Sequence, residues 1–433
     1  MWFRRGCNTC KKELYITANK WEGHCLEISL QCSGCGNSEN WHGSQMYKDG
    51  SAQINRDVAR AWYTTGGEDG HYQHFAQQLN AGVINSKSYD ATVNLLISII
   101  LEQEDKMYHT NIQQANADSN GTIIGTDVQH CRPQRAVGSA PFATATIINH
   151  TPGSQYGKIL VQTHLYKQDM IQKGIKPTLS KDKLATEEAL NIMANKLDKI
   201  QRGICDGIGS TNTLWNTIIH GSKHSEPILS YCGWHRTKNI AKDFKTKLLD
   251  HKTKLKQRIG NKQQEFTFPE FKKFGFTGGL IKGQWMRAQK KSEGDVETME
   301  MEWTGIRLFY ESMCDSFSEN TQEAFDDWLE KHAKNMERYV HGDLTDLEEA
   351  FHRTGLKYWK KGKSYSKPNY VARRALAAMH WNENYGKQKG QNTYSFLDNI
   401  RLTFGNYLGT RSKGWQAKNS YTVQKSGVIT HWT

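Results

Sequence analysis

Two Cys-x-x-Cys pairs near the start of the chain constrain its fold more than any other feature. The first pair is Cys7 and Cys10, and the second is Cys32 and Cys35. Four thiolates at this spacing can converge on one ion in a tetrahedron, the arrangement of structural zinc sites. Between the pairs, LEISLQ alternates apolar and polar residues, which predicts a strand. Residues 1–50 therefore predict a zinc ribbon, whose Zn²⁺ supplies folding energy that so short a segment cannot obtain from its core.

Cysteine usage also indicates the compartment. The chain has nine cysteines, an odd number, and five of them lie in its first 35 residues, which is untypical of a secreted disulfide framework. The opening MWFRRGCNTC lacks the apolar segment of a signal peptide. No run of 18 apolar residues predicts a membrane span. We therefore expect an intracellular protein that does not associate with a membrane, and a nuclear one if its source is eukaryotic.

The charge of the chain points to a polyanionic partner. The formal net charge is +13 over 433 residues, and a protein this basic most often meets nucleic acid. The cations are clustered, since residues 236–262 hold ten Lys and Arg against two acids. A solvated helix face is the alternative interpretation of this cluster. The candidate contacts to the DNA backbone are Lys242, Lys245, Lys252, Lys254, Lys256 and Arg258.

Residues 51–103 predict three short helices joined by tight turns. The first helix is expected to stop at Gly66 and Gly67, and the third is expected to be capped by Asn85 or Ser86. This arrangement favours a helix-turn-helix-like module that binds DNA. A plain helical connector is the alternative.

From residue 122 onward the patterns change to those of an α/β fold. The polar segment 104–121 predicts a linker or a peripheral helix. TIIGTD, FATATIIN and KILVQTHL then predict three strands, KLATEEALNIMANKLDKIQ predicts an amphipathic helix, and RGICD predicts the end of another strand. This order indicates an α/β fold. We expect residues 236–340 to be helical and residues 408–433 to form an extended or disordered tail.

Three acidic residues stand where an active site built on a sheet needs them. Asp127 ends the run TIIGTD, Asp206 ends RGICD, and Glu349 lies in the helix-like LTDLEEAFHRTG. An acid at the end of a strand is held on rigid backbone, with room for a ligand beyond it. Carboxylates brought together need a cation to compensate their charge, and Mg²⁺ or Mn²⁺ suits oxygen ligands. From the residues alone, turn residues and a solvated helix face remain the alternatives.

The order of these segments resembles DDE transposases of the Kolobok and Mutator-like group, over roughly residues 5–385. The paired cysteines and INRDVARAWYTTGG resemble the zinc and helical region of that family. GTDVQHCRPQ resembles its first-aspartate strand, and ICDGIGST resembles its second-aspartate turn. The block TDLEEAFHRTGLKYWKKGK, with the later HWNEN, resembles the closing pattern of the family. In that pattern the third acid is Glu349, and Glu348 and Glu383 are its rivals.

The resemblance implies an RNase H-like catalytic core, formed by residues 118–235 and 341–407 around a helical insertion at 236–340. It also implies a polynucleotidyl transferase with endonuclease activity, which uses two divalent ions to cut transposon ends and join 3′-ends to target DNA. The implied partners are DNA and a second copy of the chain. The alternatives are a domesticated DNA-binding protein without catalysis, and an RNase H-like nuclease without a joining step.

Further residues take their expected roles from this resemblance. Cys232-Gly-Trp-His235 resembles the C/D-x-x-H signature found after the second aspartate, which places His235 near the metal ions or the scissile phosphate. The alternative for His235 is a buried structural histidine. Cys232 is expected to pack, because two ligands do not fill a zinc tetrahedron, and Trp234 is expected in the core. Arg132 and Arg135 could grip phosphates beside the cut.

Overall fold

In the computed structural model, the chain forms two compact units. The residues described are 6–131, 140–172, 174–175, 181–206, 209–224, 227–249, 253–255, 264–266, 268–307, 317–388 and 390–408. Within them, one unit comprises residues 6–103 together with 394–408, and the other comprises residues 104–393. The predicted tail is outside the described residues from 409 onward.

The first unit begins with a three-stranded antiparallel sheet. Its strands β1 (Leu14–Glu22), β2 (Cys25–Cys32) and β3 (Ser38–His42) pair in the order β1-β2-β3. The strand predicted from LEISLQ is therefore confirmed as part of β2. One face of β2 forms the small core of this sheet, because apolar side chains at alternate positions point to the same side. The residues of β2 in this core are Ile28, Leu30 and Cys32.

Three helices follow, as the sequence predicts. They are α1 (Gln53–Thr64), α2 (Asp69–Gln78) and α3 (Ser86–Asn116). The Asn85 side chain accepts the Ser88 N–H at 2.9 Å, so Asn85 caps α3 at its start.

The helix α3 is longer than expected, because it continues through most of the polar segment 104–121 to Asn116. The linker alternative for that segment is therefore wrong over residues 104–116. Burial explains the continuation: Ile112 and Ala115 are buried in the core of the second unit, so that tertiary packing stabilises this part of the helix.

The second unit is built on a five-stranded mixed sheet. Its strands are β4 (Thr122–His130), β5 (Phe142–Asn149), β6 (Ile159–Tyr166), β7 (Ile200–Cys205) and β8 (Ile228–Tyr231). They lie in the order β6-β5-β4-β7-β8. The pairs β4–β5 and β5–β6 are antiparallel, whereas β7 runs parallel to both β4 and β8. The mixed α/β class predicted from the sequence is confirmed.

Helices join the strands of this sheet. The short α4 (Lys167–Gln172) and the amphipathic α5 (Lys181–Lys196) follow β6, and α6 (Gly209–Leu214) follows β7 and continues as a π-helical turn. Leu190 and Met193 of α5 are fully buried. They belong to one core that also includes Ile147, Leu160 and Trp215.

A mainly helical region follows β8. Its helices are α7 (Gly233–Phe244), α8 (Pro269–Lys273), α9 (Gly278–Ser292), α10 (Val296–Thr304) and α11 (Glu319–Ala333). They surround an aromatic core of their own, which supplies the apolar burial that such a region needs. Its buried aromatic residues include Phe244, Phe271, Trp285, Trp303, Phe325 and Trp328.

Two expectations for this region are wrong. Residues 236–340 are not helical throughout, because β9 (Thr253–Leu255) and β10 (Gln264–Phe266) pair as antiparallel strands. The β-branched Thr253 and the aromatic Phe266 oppose each other in this pair and favour extended backbone. Trp234 is not a core residue, since 38% of it is exposed.

The chain then returns to the sheet through two helices, α12 (Asp346–Gly355) and α13 (Lys367–Asn384). In α13, Tyr370 stacks on Phe142 of β5 with 4.2 Å between ring centroids. The fully buried Arg374 donates to the Gln129 side chain of β4 at 2.7 Å. These contacts hold α13 against the strands.

The last described helix, α14 (Ser395–Leu408), belongs to the first unit. The family resemblance instead implies that residues 341–407 all belong to the catalytic core. Phe404 of this helix meets Tyr47 edge to face, with 6.5 Å between ring centroids. No helix in the described part of the chain is long and apolar enough to cross a membrane.

Gly203 provides a test of the packing beneath the sheet. A Cβ at this position of β7 would lie 2.3 Å from the ring of Trp215. Gly203→Ala should lower the free energy of unfolding by about 1–3 kcal/mol, because the overpacked core must shift. Urea unfolding followed by circular dichroism measures this change.

The matched control is Gly283→Ala in α9, where a Cβ would meet no atom within 4 Å. This substitution should raise stability by about 0.5–1 kcal/mol, because alanine favours a helix interior over glycine. Equal changes in the free energy of unfolding for the two substitutions would contradict the close packing of Trp215 against Gly203.

Candidate functional site

The four cysteines of the paired motifs come together in the first unit. Cys7 Sγ lies 3.5 Å from Cys35 Sγ, and Cys10 Sγ lies 3.3 Å from Cys32 Sγ. All four sulfur atoms lie within 4.8 Å of one another. This cluster could hold a zinc ion, because four thiolates complete a tetrahedral coordination sphere.

Local backbone shapes this cluster. Gly36 adopts a φ of 73° and donates its N–H to the Cys32 carbonyl at 3.1 Å, a conformation that glycine tolerates best. The backbone N–H groups of Cys35 and Gly34 lower the pKa of the Cys32 thiol to about 6. Cys32 is therefore available as a thiolate, the form that binds metal.

The acids Asp127 and Asp206 lie at one edge of the five-stranded sheet. In the parallel pair β4–β7, Gly125 is opposite Ile204, so Asp127 and Asp206 follow at the same level two residues later. Asp206 comes directly after β7, as predicted. Asp127 is inside β4 rather than at its end, which corrects the sequence prediction. The reason is that β5 pairs with β4 through His130.

His235 connects the second aspartate with the helix that carries Glu349. As the third residue of α7, it places Nδ1 3.0 Å from Asp206 Oδ1 and Nε2 3.5 Å from Glu349 Oε1. Hydrogen bonds to Asp206 and Cys232 raise the pKa of His235 to about 10. His235 is therefore positively charged at neutral pH and offsets part of the surrounding negative charge.

The surroundings of Asp127 disfavour its ionised carboxylate. Its Oδ1 accepts the Val128 N–H at 2.7 Å, and its Oδ2 lies 3.3 Å from His352 Nδ1. Burial lowers the pKa of His352 well below its ordinary value, so this histidine is neutral. Burial, together with the negative charge of Asp206, raises the pKa of Asp127 well above its usual range. A divalent cation at this position would favour the ionised carboxylate.

Glu348 and Glu349 are adjacent in α12 but have different surroundings. Glu349 faces His235, whereas Glu348 is completely buried with Oε1 2.9 Å from His150 Nε2. Burial alone would lower the pKa of His150, but the Glu348 charge outweighs that effect and raises it. Gly125 leaves room for this pair, since a Cβ there would lie 2.1 Å from Glu348 Oε1. Sequence reasoning missed the pair, although a glycine within a strand signals a close approach.

Thr345 is a second residue that sequence reasoning missed. Its hydroxyl donates to Asp206 Oδ1 at 3.0 Å, and its backbone N–H donates to Cys232 Sγ at 3.4 Å. The segment that leads into α12 is thereby attached to both Asp206 and Cys232. Local sequence contains no signal for this role.

The remaining predicted site residues are distributed differently. Lys242 and Lys245 are exposed on α7 and the turn that follows it. Glu383, the rival third acid, lies in α13, where its charge acts on Lys158. Lys254 is in β9, but its side chain is outside the described residues. The other predicted DNA contacts outside the described residues are Arg132, Arg135, Lys252, Lys256 and Arg258.

Comparison with the models of known protein families gives no match, and no curated protein sequence matches the chain.

Zinc binding by the cysteine cluster can be tested by removing one ligand. Cys10→Ser should lower the zinc retained by one ion per chain relative to the wild type and unfold the β1–β3 sheet, because three ligands hold the ion much less firmly. Elemental analysis after dialysis and the circular dichroism of the purified chain measure the two effects. Cys25→Ser is the control, since Cys25 is buried but does not belong to the cluster. Retention of the wild-type amount of zinc by the Cys10→Ser variant would refute this assignment.

The pKa of Asp127 makes a prediction about stability. Because its folded-state pKa is raised, the ionised carboxylate opposes folding above about pH 3.9, where the unfolded chain ionises. In magnesium-free buffer, Asp127→Asn should therefore raise the free energy of unfolding at pH 7. The gain should shrink as the pH falls toward 4.

Urea unfolding at a series of pH values measures this difference. Asp198→Asn is the control, because its side chain is 73% exposed, and it should leave stability nearly unchanged. A loss of stability in Asp127→Asn at pH 7 would show that the ionised Asp127 is favoured in the fold.

Proposed function

We propose that the protein is a DDE-type DNA transposase that cuts transposon ends and joins their 3′-ends to target DNA. The observation that carries this proposal is the grouping of Asp127, Asp206 and Glu349 around one edge of the sheet. His235 contacts two of these acids, and the charge of Asp206 acts on the third. Separate segments of the chain, far apart in sequence, contribute the three carboxylates.

The sheet topology supports an RNase H-like core. An antiparallel run β6-β5-β4 continues into the parallel strands β7 and β8, which is the arrangement that the family resemblance implies. The helices α7 to α11 lie between β8 and α12 in the chain. They correspond to the proposed helical insertion before the third acid.

The donor set suits hard divalent cations. Asp127, Asp206 and Glu349 offer carboxylate oxygens, which Mg²⁺ and Mn²⁺ prefer. Burial and, after it, the negative charge of Asp206 raise the pKa of Asp127, and a bound cation would offset both effects. When bound, two such ions activate a water or a 3′-hydroxyl and stabilise the leaving oxygen. The protein would contribute rigid strand backbone under the aspartates and a protonated His235 that can attract the scissile phosphate.

Exposed cations support DNA as the substrate. Lys238, Lys242 and Lys245 are exposed along α7 and the turn after it, and the same helix carries His235 near its start. Phosphate contacts from such lysines would make binding weaken steeply with salt. We further propose that the zinc ribbon and α1 to α3 bind DNA, and that two chains act together because two transposon ends must be cut. A DNA substrate would place the protein in the nucleus of a eukaryotic source.

Substitution of the acids tests the activity. Asp206→Ala and Glu349→Gln should each reduce Mg²⁺- or Mn²⁺-dependent nicking and joining by at least about a thousandfold, because loss of a metal ligand removes several kcal/mol of transition-state stabilisation. The substrate is a supercoiled plasmid that carries the DNA flanking the coding sequence on both sides. Gel analysis of nicked and joined products measures both steps.

Glu383→Gln is the matched control and should keep its activity, since Glu383 lies outside the cluster. Full cutting and joining by Asp206→Ala would overturn the assignment. Salt-sensitive DNA binding without nicking by the folded wild-type chain would favour a domesticated DNA-binding protein instead. Nicking without joining would favour an RNase H-like nuclease.

A further inference from the structure

Sulfur and nitrogen atoms lie beside one member of the acidic group, which consists of Asp127, Asp206 and Glu349. Mg²⁺ prefers oxygen ligands and does not require these atoms. Asp206, Cys232 and His235 each offer one ligand atom, and these atoms lie within 4.8 Å of one another. Cys232 is buried, whereas Asp206 and His235 are partly exposed. A sulfur, an imidazole nitrogen and a carboxylate oxygen together match transition metals rather than Mg²⁺.

We propose that Asp206, Cys232 and His235 form a binding site for a zinc-class transition-metal ion, separate from the ribbon and sharing Asp206 with the acidic group. Three protein ligands leave the fourth tetrahedral position open for water or a substrate oxygen. The proposed transposase function assigns hard cations to Asp206, so the two uses of this carboxylate exclude each other. A bound transition metal would therefore withdraw Asp206 from the chemistry.

The backbone around Cys232 is arranged as it is around Cys32 of the ribbon cluster. The Cys232 N–H donates to the Cys205 carbonyl at 2.7 Å, which fixes Cys232 beside the residue that precedes Asp206. Its Sγ accepts the Thr345 N–H at 3.4 Å. In the ribbon, Cys32 Sγ accepts the Gly34 N–H in the same way, at 3.3 Å. Both sulfur atoms thus receive a backbone hydrogen bond that stabilises negative charge.

The orientation of His235 supports the same conclusion. Its Nδ1 faces Asp206, while Nε2, on the other side of the ring, lies 3.5 Å from Glu349 Oε1. A histidine that binds metal through one nitrogen usually donates its other N–H to a carboxylate, which fixes the ring. Thr345 plays a comparable part for Asp206 by donating to Oδ1 at 3.0 Å. Each proposed ligand therefore has a partner that holds it in position.

Cobalt binding to the full chain tests the site without any need for cleavage. The protein is first loaded with one equivalent of Zn²⁺, which the four thiolates of the ribbon bind, and is then titrated with Co²⁺, which does not displace zinc from the ribbon because Co²⁺ binds more weakly. The expected result is one Co²⁺ per chain with thiolate-to-cobalt absorption. X-ray absorption at the cobalt edge should show a single sulfur at about 2.3 Å beside nitrogen and oxygen ligands at about 2.0–2.1 Å.

Substitutions identify the ligands. Cys232→Ser should remove the thiolate absorption and weaken Co²⁺ binding by at least about tenfold, and His235→Gln should weaken it comparably. Cys131→Ser, which changes a buried cysteine of the same unit outside the cluster, should leave the binding unchanged.

Cobalt without a sulfur ligand in the wild-type chain would overturn the proposal, and that measurement requires no variant to fold. Unchanged absorption in a folded Cys232→Ser chain would also overturn it. If cobalt binds as expected but the wild-type chain never cuts DNA, the metal site stands and the transposase function fails. If the chain cuts DNA but binds cobalt without sulfur, the reverse holds.

Discussion

Crowding of negative charge at one edge of the five-stranded sheet is the constraint on which the candidate site depends. Parallel pairing of β4 and β7 sets Asp127 level with Asp206, and α12 brings Glu349 to His235. Burial and the Asp206 charge disfavour the ionised form of Asp127. The protonated His235 compensates only part of this charge, which supports the proposed site for a divalent cation.

Close packing decides which side chains can reach this edge. Gly125 leaves room on β4 for the buried pair of Glu348 and His150, and Gly203 leaves room on β7 for Trp215. The space at Gly125 helps to orient α12, since Glu348 points into the fold there and its neighbour Glu349 faces His235. Gly125 thus serves the geometry of the site without belonging to it, whereas Gly203 serves the core beneath the sheet.

Local patterns predict the cysteine cluster and the place of Asp206 directly after a strand, but they do not predict the surroundings of either. Asp206 follows its strand as the run RGICD predicts, whereas Asp127 lies within β4 because β5 pairs beyond it. The sequence predicts that Trp234 lies in the core. In the structure, it is partly exposed, and the Lys238 ammonium lies 3.8 Å from its ring centroid, a cation–π contact between residues four apart on one helix.

Spacing along the chain is sufficient to predict that the four ribbon cysteines come together. Each Cys-x-x-Cys pair is held by a single tight turn, and one hairpin joins the two pairs. The periodicity of apolar residues is likewise sufficient to predict most strands and helices. The different surroundings of Glu348 and Glu349, and the association of Cys232 and His235 with Asp206, required the tertiary structure. These contacts depend on strand register and helix packing: Thr345 meets Asp206 across 139 residues of sequence, a separation over which no local pattern carries information.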